Sequence, residues 1–126
     1  MKDIGAIMQR ALDGAWARQE VLANNVANAE TPGYKRLELD FRGYLARAVS
    51  TGAGPVKTDP RHLSTQSESS LSIRQDPSSV SPDGNSVDVD REMGEVSTNA
   101  LYYAAVSRQL SSYLALLRKA ITEGRR

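Results

Sequence analysis

Few residues in this sequence are of types that could do chemistry, and the first of them is a single histidine. His62 stands in a stretch rich in serine, threonine, glycine and proline. A general base needs a positioned partner and a pocket, and the residues beside His62 offer neither. Cysteine is absent, which excludes a thiolate nucleophile and a thiolate metal site. We therefore predict no catalytic residue and no enzymatic activity.

A second group of candidates is a run of oxygen-bearing side chains near the last third of the chain: Asp83, Asn85, Asp88, Asp90 and Glu92. A calcium-binding EF-hand loop requires glycine at its sixth position. Counting from Asp83, that position is Asp88, so the calcium pattern fails. Negative charge at the start of a helix explains the same acids, and phosphate-binding and dinucleotide-binding fingerprints are missing. The sequence therefore predicts no metal and no cofactor.

The most distinctive pattern is a polar run that ends in a turn, Ala23-Asn24-Asn25-Val26-Ala27-Asn28-Ala29-Glu30-Thr31-Pro32-Gly33-Tyr34-Lys35. Pro32-Gly33 suits the centre of a type II turn, because proline presets φ and glycine accepts a positive φ. Proline also disfavours helix at Thr31, so a preceding helix ends before it. The asparagine side chains can hydrogen-bond main-chain groups freed at that end. The residues that we single out are Asn24, Asn25, Asn28, Thr31, Pro32, Gly33, Tyr34 and Lys35.

Two amphipathic helices must position this turn, one at each end of the chain. We predict the first over 1–29, starting near Asp3, with an apolar stripe of Met8, Leu12, Leu22 and Val26. The second is predicted over 87–126, starting near Asp88. Its apolar residues keep a heptad spacing, and they include Met93, Val96, Tyr103, Leu110, Leu114, Leu117 and Ile121.

The segments between these helices are predicted to be a turn and motif segment over 30–49 and an irregular region over 50–86. The second is rich in serine, glycine and proline, so it cannot hold a long helix and has little apolar surface to bury. Only Leu71-Ser72-Ile73-Arg74 alternates enough to predict a short strand. We expect a mainly α fold of one structural domain, with at most short strands in its centre.

Charge is sparse along the predicted last helix, where Arg108 is the only charged residue between Val96 and Leu117. A solvated helix of that length normally carries charge on its outer face, so we expect neighbouring chains to cover it. Sixteen basic and fifteen acidic residues nearly cancel, which argues against nucleic acid as a partner. No apolar run approaches the ~18 residues of a membrane span.

The run Ala23–Lys35 as a whole resembles the signature ANNxANxxTPGYK of the flagellar rod and hook axial proteins. Leu37-Glu38-Leu39-Asp40-Phe41 is similar to the proximal-rod variety of that family, and Asn85–Met93 is similar to its NxVDxDxEM segment. Three further stretches also resemble the proximal-rod pattern: Thr58–Leu63, Asn99–Tyr103 and Ala120–Arg125.

This resemblance implies an antiparallel, coiled-coil-like pair of terminal helices around a short irregular centre. It also implies a structural subunit of the proximal rod that self-assembles through those helices, transmits torque and forms the wall of an export channel. The implied partners are other copies of the chain, the adjacent rod protein FlgC, the adaptor FliE at the membrane ring and the flagellar type III export apparatus. The implied location is the periplasmic rod of the basal body, reached without a cleaved signal peptide. The helical pattern alone leaves open a cytosolic coiled-coil adaptor or export chaperone.

Overall fold

The computed structural model describes residues 3–51, 71–78 and 81–124. In these ranges it holds three helices and two strands: α1 (Ile4–Ala27), β1 (Leu37–Leu39), α2 (Phe41–Thr51), β2 (Ile73–Gln75) and α3 (Val89–Glu123). The predicted mainly α fold with a pair of long terminal helices is thereby confirmed. His62 and the stretch Thr58–Leu63 lie outside the described residues.

Both terminal helices begin at the aspartates that the sequence predicts. The carboxylate of Asp3 accepts a hydrogen bond from the Ala6 amide at 3.2 Å. The carboxylate of Asp88 accepts from the amides of Asp90 at 3.1 Å and Arg91 at 3.3 Å. Each aspartate satisfies amides that have no partner within the first turn of its helix, which sets where α1 and α3 start.

The two terminal helices run antiparallel, with the end of α1 against the start of α3. Asn25 near the end of α1 donates to Glu92 at 3.0 Å. At the other end a β-carbon placed on Gly5 would lie 3.2 Å from the Tyr113 ring. Ala11 and Ala15 are buried in the interface, and their small side chains allow the two helix axes to come close.

Helix α2 begins inside the segment predicted as turn and motif (30–49) and ends two residues beyond it, and the sequence pattern did not predict it. Asp40 starts it by accepting a hydrogen bond from the Gly43 amide at 3.0 Å. Its buried residues are Tyr44 and Ala48, which are too few to make a periodic apolar stripe. Tyr44 packs against α1 at Gly14, where an added β-carbon would lie 2.7 Å from its ring. The helix therefore depends on a tertiary contact that its own sequence does not display.

The two strands form a short antiparallel ladder that pairs Leu37 with Gln75 and Leu39 with Ile73. The Asp76 amide extends the ladder by donating to the Arg36 carbonyl at 2.8 Å. The sequence predicted a strand over residues 71–74, and the observed strand starts two residues later and ends one residue later. This ladder holds residues 34–39, which follow the Pro-Gly turn, against the segment that leads into α3.

Candidate functional site

The polar run after α1 lies where four pieces of chain meet: the end of α1, residues 34–39, the turn at 81–87 and the start of α3. Five polar side chains at this meeting point are almost fully buried, with 0 to 3 % of their surface exposed. We call them the polar junction, and they are Asn25, Arg36, Asn85, Ser86 and Glu92. Buried polar groups are costly unless they are hydrogen-bonded, so their partners determine what the junction does.

Asn25 connects α1 to both β1 and α3. Its amide nitrogen donates to the Leu37 carbonyl at 2.8 Å and to a Glu92 carboxylate oxygen at 3.0 Å. Its amide oxygen accepts from the Leu37 backbone amide at 2.9 Å. The Asn25 side chain thus makes the two hydrogen bonds to the Leu37 backbone that a neighbouring strand would make. These bonds keep residues 34–39 beside the helix pair.

Arg36 and Glu92 form a buried ion pair in which the Arg36 Nε donates to a Glu92 oxygen. A second guanidinium nitrogen of Arg36 donates to Glu95 at 3.2 Å, and Arg18 on α1 donates to the other Glu95 oxygen at 3.2 Å. Burial alone would lower the pKa of Arg36, but the hydrogen bond and charge of Glu92 raise it above its ordinary value. Arg36 therefore keeps its charge, and its bonds to Glu92 and Glu95 tie residues 34–39 to α3.

Asn85 closes the end of α1 from the other side. Its amide nitrogen lies within 2.8 to 3.1 Å of the carbonyl oxygens of Asn28, Ala29 and Thr31. Its amide oxygen accepts from the Val87 amide at 2.7 Å. These carbonyls belong to the turn that follows α1, and Asn85 binds them from a segment more than fifty residues away.

The Pro-Gly turn and the residues after it contact the same junction. Gly33 has a φ of +70°, as the predicted turn requires, and its amide donates to the Asp83 carbonyl at 3.1 Å. The Tyr34 hydroxyl donates to the Asn24 side-chain oxygen at 2.8 Å, and burial together with the charge of Glu92 raises the pKa of Tyr34. The Lys35 ammonium donates to the Gly84 carbonyl at 2.8 Å.

The motif residues singled out from the sequence thus divide into two groups. Asn25 is buried, while Asn28, Tyr34 and Lys35 are half-buried and bonded within the chain. Asn24, Thr31, Pro32 and Gly33 are exposed. Their predicted role in assembly stays a prediction.

Four of the five junction residues were missed by sequence reasoning as contributors to the site, namely Arg36, Asn85, Ser86 and Glu92. Arg36 carries no local signal, because in a sequence a buried arginine looks the same as a solvated one. Glu92 was interpreted as a helix-start acid, yet its carboxylate is fully buried. No local signal marked its burial, because an acid in the first turn of a helix is equally well explained by the helix dipole.

The apolar residues predicted for helix packing are only partly covered in this single chain. Leu22 is buried, and Met8, Leu12, Val26, Val96 and Leu110 are half-buried. The rest are 41 to 71 % exposed, namely Met93, Tyr103, Leu114, Leu117 and Ile121. On α3 the most deeply buried side chains are Glu92 and Asn99, and neither belongs to the predicted stripe. The face toward α1 is therefore rotated from the predicted stripe, because buried polar residues occupy its centre.

The end of α3 extends past the start of α1. Gly5 lies opposite Tyr113, so residues 114–123 continue for about 15 Å beyond α1, at 1.5 Å per residue. Every residue from 114 to 124 is exposed. We call residues 114–123 the α3 overhang, and its apolar side chains are Leu114, Leu116, Leu117 and Ile121.

Within residues 3–51, 71–78 and 81–124, no three acidic or histidine side chains are grouped so that they could hold a metal ion. None of the helices in that part of the chain combines the length and apolar character needed to cross a membrane.

Comparison with known proteins places this geometry in context. Residues 7–35, which include α1 and the Pro-Gly turn, match the family model described as flagella basal body rod protein. The chain is 33 % identical over 120 residues to flagellar basal body rod protein FlgB of Bacillus subtilis, covering 94 % of the chain and 92 % of that relative. It is 35 % identical to the protein of the same name from Escherichia coli, covering 86 % of the chain and 88 % of the relative. The relative of that name from Aeromonas hydrophila is also 35 % identical, covering 91 % of the chain and 89 % of its own length.

Proposed function

Because this chain belongs to the FlgB family of flagellar basal body rod proteins, whose members are structural rod subunits, we propose that it builds the proximal rod by self-assembly through its two terminal helices. The observation that carries the proposal is the set of apolar side chains left uncovered on α3. Leu101, Leu116 and Ile121 are each about two-thirds or more exposed, and exposed apolar surface of this extent is typical of an interaction site.

In this proposal the polar junction contributes geometry and no chemistry. The carboxylate of Glu92 and the guanidinium of Arg36 are committed to each other and to Asn25 and Glu95. A catalytic acid or base needs access to a substrate, and these groups are at most 3 % exposed. We propose that the junction holds the segment after the Pro-Gly turn against the helix pair and that the chain catalyses no reaction.

The proposal extends to partners and location. Other copies of the chain cover the uncovered faces of α3, and the rod protein FlgC and the adaptor FliE meet the two ends of the segment that those copies build. The subunit lies in the periplasmic rod, forms part of the export channel wall and transmits torque, and it arrives through the flagellar type III apparatus without a cleaved signal. The resemblance and the exposed apolar surface of α3 support these points.

A genetic test with a biochemical readout decides the proposal. The gene is deleted in the bacterium that carries it, and an epitope-tagged copy is returned. We expect loss of motility and of rods in purified basal bodies, restoration by the returned gene, and recovery of the tagged chain in the basal-body fraction. A tagged chain that stays in the cytosol as a discrete dimer, absent from basal bodies, would refute the proposal in favour of an adaptor or chaperone.

A further inference from the structure

The register of the helix pair, meaning which residues of α1 lie opposite which residues of α3, is not set by the chain that connects the two helices. Residues 28–88 lie between them, whereas a short loop would hold two antiparallel helices in one alignment. Apolar residues at heptad spacing do not set the register either, because a slip of seven residues brings equivalent positions together again. Other groups in the interface must therefore select one register.

Two polar layers cross the interface between α1 and α3. In the first, the Asn25 amide donates to Glu92 at 3.0 Å. In the second, the Asn99 amide nitrogen donates to the Ala15 carbonyl and to the Gln19 side-chain oxygen, both at 2.9 Å. Asn25, Glu92 and Asn99 are at most 2 % exposed. Glu92 and Asn99 are seven residues apart and so lie on the same face of α3.

The second polar layer costs part of the stability that it brings. The Asn99 side-chain oxygen is buried and has no hydrogen-bond partner among the described residues, and a buried acceptor without a partner is unfavourable. The Ala15 carbonyl lies within α1, where the backbone amide four residues later already donates to it. An apolar side chain at position 99 would also suit the mainly apolar groove of about 250 Å³ beside it. Stability alone therefore gives no reason for an asparagine at this position.

A slip of seven residues in one direction breaks the second polar layer. It moves Asn99 away from its two acceptors and places it opposite Met8 and Leu12, the positions one heptad earlier on α1. Leu12 carries no acceptor in place of the Gln19 amide. The Met8 side chain is also larger than that of Ala15, whose small size lets Asn99 reach the backbone carbonyl. The buried Asn99 amide would therefore lose its hydrogen bonds, which is unfavourable.

A slip of seven residues in the other direction breaks the first polar layer. Glu92 would then leave Asn25, because the position one heptad later is Pro32, which lies beyond the last residue of α1. Val106 would take the place opposite Gln19, and its side chain offers no hydrogen-bond donor. Either slip therefore leaves polar groups of the interface without partners, although the apolar spacing permits both.

We propose that the two polar layers specify the register of α1 on α3, and that the second layer serves this selection at the expense of stability. A buried polar residue in an apolar helix seam selects one register in this way, because its partner is available in only one alignment. The register also determines how far the α3 overhang projects, since one heptad changes that length by about 10 Å. The inference goes beyond the proposed function, because it concerns the single chain and holds whether or not the chain builds a rod.

Spin labels on the two helices measure the register directly, since the chain has no cysteine of its own. Glu20→Cys/Ser112→Cys places both labels at exposed positions, one on α1 and one on α3. Because Gln19 lies opposite Asn99, the labels are separated by about fourteen residues, or roughly 21 Å along the helix pair. Double electron–electron resonance is recorded on the purified chain in trimethylamine oxide, which stabilises weaker variants. An excess of unlabelled chain removes distances between copies.

We expect one main distance in Glu92→Leu and in Asn99→Leu, because each variant keeps one polar layer. The double variant Glu92→Leu/Asn99→Leu should add a second distance that differs by roughly 10 Å, the shift of one heptad. The matched control Val96→Leu/Val106→Leu enlarges two half-buried apolar side chains of α3 and should keep the single distance. A folded double variant with only the wild-type distance would overturn the proposal.

The stability of Asn99→Leu supplies a second measurement, which does not require the double variant to fold. We expect its urea midpoint to lie at or above that of the wild type, because leucine removes the unmet acceptor. Leu22→Asn makes the opposite exchange at an apolar position of α1 that is 2 % exposed, and it should lower the midpoint. A midpoint of Asn99→Leu clearly below the wild type would show that the second layer is a net stabilising contact, and it would overturn the proposal.

Discussion

The buried pair of Arg36 and Glu92 leads to the sharpest prediction about stability. Removing one partner of a buried ion pair typically costs about 3 to 5 kcal/mol, because the other charge is left in a poorly solvated place. Here Arg36 would keep Glu95 at 3.2 Å and Glu38 at 3.8 Å. We therefore expect Glu92→Leu to lower the free energy of unfolding by an amount at the lower end of that range, about 3 kcal/mol. Arg36→Met should cost a similar amount, since it leaves Glu92 buried without its cation.

The double variant separates this mechanism from a loss of packing. If the two side chains act through each other, Arg36→Met/Glu92→Leu removes both charges and should cost about 3 kcal/mol, well below the sum of about 6. A residual cost is expected because the Asn25 amide loses its bond to Glu92, and an unmet buried donor costs about 1 to 3 kcal/mol.

Urea titration followed by far-UV circular dichroism measures these costs. Trimethylamine oxide in the buffer raises the stability of all variants and keeps the weaker ones measurable. Glu123→Gln is the control, because Glu123 is 69 % exposed in its pair with Lys119, and it should change stability by less than about 0.5 kcal/mol. Single variants that cost less than about 1 kcal/mol, or a double variant equal to their sum within about 0.5 kcal/mol, would refute the reasoning.

Three further predictions follow from single positions. Leu114→Asp should abolish rod assembly but not folding, because Leu114 is 48 % exposed in the single chain and becomes buried only against a neighbour. We expect unchanged helix content and lost motility. Normal motility would contradict this prediction. Gly33→Ala should destabilise the fold by about 1 kcal/mol, because Gly33 has a positive φ. Gly94→Ala, at a helix position with open space around it, should instead stabilise the fold by about 0.5 to 1 kcal/mol. Thermal unfolding distinguishes the expected loss of stability from the expected gain. Backbone amides of Ser78 and Asn85 lower the pKa of Asp76 and Asp83 below the ordinary 3.8. The stability that these two carboxylates contribute is therefore present above about pH 4 and is lost as the pH falls through their folded-state pKa values. Asp83→Asn should flatten this acid dependence in urea titrations, and an unchanged pH profile would speak against it.

The elements that sequence reasoning predicted correctly are those with local causes. Asp3 and Asp88 cap their helices by accepting hydrogen bonds from amides two or three residues later, and Gly33 takes its positive φ from the turn in which it stands. The stripe on α1 indicated the right helix because apolar spacing alone defines an amphipathic face. The polar run 23–35 also carried the family resemblance, and it lies within the matched region 7–35.

The elements that sequence reasoning missed depend on contacts between distant segments. Helix α2 has only Tyr44 and Ala48 buried, and it is held by the space that Gly14 leaves on α1. Arg36, Glu92 and Asn99 are buried polar residues, and pattern reasoning assigns charged and amide side chains to the surface. Their burial is stable only because each meets a complementary group from another part of the chain.

The sequence by itself determined where the two long helices start, where the first one stops, and that the last one carries too little charge to be solvated throughout. These properties arise from side chains acting on their own or adjacent turns. Only the tertiary structure decided which face of α3 meets α1, that Asn25 and Asn99 lie at that interface beside a buried ion pair, and that the end of α3 projects uncovered. Those properties depend on helix lengths and on hydrogen bonds between residues up to 84 positions apart, and a polar side chain shows no trace of its partner until the chain brings the two together.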